Sequence, residues 1–118
     1  MDRDARSYLW DVQQAAEAVG QFTAGLDAVS YAQNALVRSA VERQFEIIGE
    51  SLNQLSKRWP DLARRVPHLR EIIGFRNVLI HGYAAIDHAR VWRIAEAVLP
   101  GLHKTVSALL TELGPPDV

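Results

Sequence analysis

Apolar side chains recur along this chain at alternating spacings of four and three residues, which places them on one stripe of a helix, and no segment alternates as a half-buried strand does. Ala5, Leu9, Val12, Ala16, Val19, Thr23 and Leu26 follow this rule, predicting a helix from about Arg3 to Thr23. Gly25 and Asp27 break it. Val37, Val41, Phe45, Ile48, Leu52 and Leu55 predict a second helix from about Tyr31 to Lys57. Trp59-Pro60 stops that helix, because the residue before a proline is pushed out of helical backbone angles.

Pro60 to Val66 reads as one short helical turn, and Pro67 suits the first position of a helix ending near His81, with Gly82 as a left-handed terminator. After a loop over Tyr83-Ala84-Ala85-Ile86, Asp87 is placed to cap a last helix carrying Val91, Ile94, Val98, Leu102, Val106, Leu109 and Leu113. Pro100-Gly101 should kink that helix or split it. The expected fold is all-α: an up-and-down bundle of four main helices plus a short helix, one domain over residues 1–113 with a short tail at 114–118. A chain of 118 residues buries roughly 65% of its unfolded surface, enough for a core without covalent staples. Tyr8 and Phe22 widen the apolar face of the first helix beyond what one small bundle covers, and a homodimer would cover it.

The chain has no cysteine, which excludes disulfides, thiolate metal sites and thiol catalysis and leaves His and carboxylates as the available metal ligands. His68, His88 and His103 fall at solvent or helix-start positions without ligand spacing, so no metal or other cofactor is expected. The charged opening Met1-Asp2-Arg3-Asp4-Ala5-Arg6 is unlike a signal peptide, and no run approaches the roughly 18 apolar residues of a membrane span. A cytoplasmic location is the expectation. Charge is uneven: residues 1–56 carry 4 basic and 8 acidic side chains, residues 57–93 carry 8 and 3, and residues 94–118 carry 1 and 3. An anionic ligand belongs on the middle segment.

Phosphate loops, zinc helices, nucleophile elbows and calcium loops are missing, and the chemistry concentrates in Gly74-Phe75-Arg76-Asn77-Val78-Leu79-Ile80-His81-Gly82-Tyr83. On a helix Asn77 and His81 lie about 40° apart and one turn removed, a natural pair. Arg76 and His81 lie about 140° and about 7.5 Å apart, so one helix does not aim both at one atom. Either the arginine wraps round, or a two-fold axis brings in the second copy. Arg, His and an amide suit cleavage of an RNA phosphodiester, where the substrate's own 2′-OH is the nucleophile. His81 would move a proton, Arg76 would hold the non-bridging oxygens, and Asn77 would position phosphate or imidazole. The plainer reading, His81 as a C-terminal cap, stays open from spacing alone.

Arg43, Glu46 and Glu50 share a stripe on the second helix, either a solvated face or a lining that orients Arg76 or His81. Lys57, Arg58, Arg64, Arg65, Arg70, Arg90 and Arg93 flank the motif and could steer a polyanion, while Trp59 and Trp92 read as core.

Three segments together resemble the HepT-like branch of the HEPN superfamily, helical ribonuclease toxins paired with a nucleotidyltransferase antitoxin of the MNT type. They are Tyr8-Leu9-Trp10-Asp11-Val12, Arg43-Gln44-Phe45-Glu46-Ile47-Ile48-Gly49-Glu50-Ser51, and Arg76 to Tyr83 in the pattern Arg-x4-His-x-Tyr. The resemblance implies a homodimer whose motifs meet at the interface and cut RNA without a metal. It implies catalytic roles for Arg76 and His81, with Asn77 in support, and makes Tyr83 the acceptor of AMP from the antitoxin. AMP there would repel and block RNA. His68 departs from the pattern, since related sequences often have Trp after the proline. The alternative is a non-catalytic helical interaction subunit of a nucleotidyltransferase complex.

Overall fold

The computed structural model describes residues 4–114, and of Tyr83 the backbone only. The expected helix start at Arg3 and, apart from Gly114, the expected tail at 114–118 lie outside the described residues. Helix α1 (Ala5–Thr23) begins where the Asp4 carboxylate accepts from the Arg6 N–H at 2.8 Å. It ends in a turn where Gly25 takes φ +79°, a backbone angle that suits a residue without Cβ.

The expected second helix is two. α2 (Ala28–Gln33) is closed by a reciprocal cap: the Asp27 carboxylate accepts from the Ser30 N–H at 2.8 Å, and Ser30 Oγ accepts from the Asp27 N–H at 2.9 Å. Asn34 then leaves the helical region, and its Oδ1 accepts from the Val37 N–H at 3.0 Å to start α3 (Ala35–Arg58). Two short side-chain caps thus divide a stretch whose apolar spacing looks continuous.

Helix α4 (Pro60–Ala63) is the expected short turn. α5 (Leu69–His81) starts later than expected, because His68 adopts φ 59° at the position before it and Pro67 stays outside the helix. Gly82 has φ −115°, so the helix does not end left-handed; the Gly82 N–H donates to the Val78 carbonyl at 2.7 Å instead. Tyr83–Ala85 forms one 3-10 turn where a loop was expected. The Asp87 carboxylate caps α6 (His88–Arg93), accepting from Ala89 and Arg90 N–H. A wide π turn over Ile94–Val98 leads into α7 (Leu99–Leu113). Pro100 has no N–H for the carbonyl one turn back, and the wide turn just before it divides the expected last helix into α6 and α7.

The four long helices stack with α1 between α3 and α7, and α5 on the other flank of α3. Leu9, Val12, Phe45, Ile48, Leu52, Ile72, Phe75, Leu102 and Val106 are buried between them, and the Phe45 and Phe75 rings meet edge-on at 5.4 Å. Among the described residues there is no strand, and no helix is long and apolar enough to cross a membrane. Tyr8 lies against Trp59 with ring centres 6.0 Å apart, so the chain itself covers part of the surplus on α1, while Trp10 and Phe22 are exposed. Trp59 and Trp92 are half-buried against the core, the latter 5.4 Å from the buried Tyr31 ring.

Candidate active site

Position 49 fixes how closely α3 and α5 approach. A Cβ built on Gly49 would lie 2.3 Å from Arg76 Cβ and 2.8 Å from Arg76 Cγ. Only a residue without a side chain lets the Arg76 stem cross there, which accounts for a glycine inside a long helix despite a propensity cost of about 1 kcal/mol. The next residue on α3 catches the guanidinium: Arg76 Nη2 lies 2.7 Å from Glu50 Oε2. On its other side Arg76 Nη1 donates to Asn77 Oδ1 at 2.9 Å. The amide of Gln54 donates to the second Glu50 oxygen at 3.1 Å, which fixes the carboxylate.

Held this way, the Arg76 side chain is 24% exposed, enough to reach a ligand at the edge of the α3–α5 seam. Its buried Nε has no partner among the described residues. His81, the last residue of α5, is exposed and has no hydrogen-bond or ion-pair partner among the described residues, so it is not engaged as a cap. Arg76 turns toward α3 and does not wrap round to His81. A single chain therefore brings Arg76, Asn77 and Glu50 together and leaves His81 one turn beyond them. The side chain of Tyr83 falls outside what the structure describes, and its backbone opens the 3-10 turn directly after the motif.

Of the α3 stripe, Glu50 orients Arg76, whereas Arg43 and Glu46 make a loose pair at 3.8 Å. These two, with Ser39, Glu42, Leu79 and Ile80, line a cleft of about 330 Å³ beside the C-terminal end of α5. Sequence reasoning missed the polar group behind it. The Arg38 guanidinium lies against His88 Nε2, and the buried His88 Nδ1 has no hydrogen-bond partner among the described residues. Burial pushes the Glu42 carboxyl above its ordinary range, partly offset by His88 and Arg38, and burial likewise raises the Tyr31 phenol. His88 is thus at a helix start, as expected, but half-buried rather than solvated. Arg38 and Glu42 are one turn apart on α3, but His88 comes from α6, and no local spacing could signal that it joins them. His103 lies 3.5 Å from Glu17 on α1, and His68 lies 3.7 Å from Glu71. Among the described residues no three His, Asp or Glu side chains gather as a metal site would need.

Comparison with known proteins decides the family. The model for ribonuclease HepT-like proteins matches residues 12–109. The chain belongs to the HepT-like family. Among curated relatives of this HepT-like chain, "Putative RNase MJ1380" of Methanocaldococcus jannaschii is 35% identical over 104 residues, covering 88% of this chain and 94% of that protein. "Putative RNase TTE0752" of Caldanaerobacter subterraneus subsp. tengcongensis is 30% identical over 105 residues, covering 89% and 93%. "Probable ribonuclease HepT" of Thermococcus cleftensis is 29% identical over 102 residues, covering 86% and 92%. No solved structure gives a significant match.

Proposed function

We propose that this chain is a metal-independent endoribonuclease that acts as a homodimer, the toxin half of a pair with an MNT-type nucleotidyltransferase. The carrying observation is the Glu50–Arg76–Asn77 arrangement on one helix seam with an exposed His81, without a partner among the described residues, one turn further along. Family membership supports the reading, since curated relatives are named as RNases.

The second copy supplies what one chain lacks. With two α5 helices side by side, His81 of one copy faces Arg76 of the other across a scissile phosphate. One imidazole takes the proton of the 2′-OH as that oxygen bonds to phosphorus. The bond from phosphorus to the 5′-oxygen breaks, and the leaving oxygen takes that proton from the imidazolium so formed. The products are a 2′,3′-cyclic phosphate and a free 5′-OH. Arg76, oriented by Glu50, holds the non-bridging oxygens as negative charge grows there. Tyr83, two residues past His81, is the AMP acceptor, where a phosphodiester and a base would repel and block RNA.

The purified protein is expected to cut RNA in the presence of EDTA and to leave strands without a 2′-OH intact; cleavage that needs added metal, or that extends to DNA, contradicts the mechanism. Co-expression with a nucleotidyltransferase partner is expected to add mass in steps of AMP. Tyr83→Phe should stay at its unmodified mass, and steps that persist in that variant would place the acceptor elsewhere.

A further inference from the structure

The seven cations that flank the motif in sequence are not equivalent in the structure. Arg65 is locked to Glu112 by two hydrogen bonds of 3.0 and 2.6 Å. Arg58 and Arg90 lie over the Trp59 and Phe75 rings. Arg64 meets Asp61 at 3.0 Å, but both side chains are largely exposed, where such a pair contributes little and yields readily to a competing anion. Arg70 is exposed and has no ion-pair partner among the described residues.

Arg70 also has a particular place on α5. At about 100° per residue, Arg70, Asn77 and His81 fall within about 40° of one another, on the face opposite the buried Ile72, Phe75 and Leu79. Arg70 stands about 10 Å along the axis from Asn77. Between them is Gly74, exposed, with nothing within 4 Å of where a Cβ would be. At Gly74, midway between the motif and Arg70, no other element of the described residues crosses this face of the helix. At its far end Arg70 joins Ser56, Arg64 and Leu69 around a groove of about 480 Å³.

We propose that this groove binds a backbone phosphate of the RNA strand, away from the scissile one, with Arg70 as the principal contact, Arg64 as a second and the Ser56 hydroxyl as a further donor. The proposal rests on the ribonuclease reading and adds where the flanking strand runs: out of the cleft, along α5 past Gly74, toward the C-terminal end of α3. The groove recognises phosphate rather than base identity, because it offers two guanidinium groups and a hydroxyl and no aromatic platform.

The test measures binding of a single-stranded 2′-O-methyl RNA, which keeps every phosphate and cannot be cut, by wild-type protein and surface variants over a range of salt concentrations. Each phosphate contact contributes about 0.7 to the slope of log K against log salt for a single strand. Arg70→Gln is expected to lower the slope by about that amount and Arg64→Gln by no more than that, while Arg65→Gln leaves it unchanged. An unchanged slope in Arg70→Gln, or an equal drop in Arg65→Gln, overturns the proposal. Binding and cleavage fail separately: a protein that cuts RNA with no Arg70 effect on binding keeps the nuclease and loses the groove. A protein that shows the slope change but never cuts does the reverse.

Discussion

His81→Ala protein is expected to lose RNA cleavage by a factor of about 10² to 10⁴, the range for removing one general acid–base group, with helix content and thermal stability unchanged. The two halves of this expectation come from different observations. The His81 side chain is exposed, has no hydrogen-bond partner among the described residues and sits at the end of α5, so truncating it removes no packing and leaves no buried group unpaired among them. The loss is then chemical: without imidazole, no side chain on the outer face of α5 can accept and return a proton near neutral pH. Circular dichroism and melting measured beside the cleavage rate separate the chemical effect from unfolding. Cleavage at the wild-type rate would remove His81 from the mechanism and return it to an ordinary helix end.

Gly49→Ala is the second change of large expected effect, and it acts through the seam. The new methyl carbon would stand 2.3 Å from Arg76 Cβ, a separation the two helices relieve only by moving apart or by turning Arg76 away from Glu50. Overpacking of this kind costs about 1–3 kcal/mol, against a helix-propensity gain of up to about 1 kcal/mol. The melting temperature should fall by several degrees. The cleavage rate should fall at least tenfold, because the guanidinium loses the carboxylate that aims it. Gly20→Ala serves as the control, since a Cβ at Gly20 meets nothing within 4 Å and should stabilise α1 slightly. A Gly49→Ala protein with wild-type melting and wild-type rate would mean that the close crossing at Arg76 is unimportant.

The long helices were readable because burial enforces a spacing of four and three, and a buried stripe such as Phe45, Ile48, Leu52 and Leu55 leaves that spacing in the sequence. The break at Asn34 was hidden for the same reason. Its cause is a side-chain oxygen accepting from the Val37 N–H, a short-range contact that leaves the apolar pattern intact. His68 illustrates another limit: proline at 67 suits a helix start, but the left-handed turn at the next residue moves the start to Leu69. At the candidate site, Arg76, Asn77 and His81 were legible as polar groups in an apolar run, and Glu50 as one of two readings of a stripe. Gly49 gained meaning only with the position of α5, because what a missing side chain makes room for depends on the neighbouring helix. The Arg38, Glu42 and His88 group was invisible for a like reason, because His88 stands 50 residues from Arg38 in the chain yet adjacent to it in space.

The central claim is that guanidinium and imidazole act on one phosphate from different copies of the chain, and mixing two inactive proteins tests it. Arg76→Ala and His81→Ala homodimers are each expected to be inactive. After exchange of subunits, each mixed dimer has one site with both groups intact, so the mixture should recover about a quarter of wild-type cleavage for random pairing. A mixture that exchanges subunits and stays as inactive as its parents would contradict a site shared between copies.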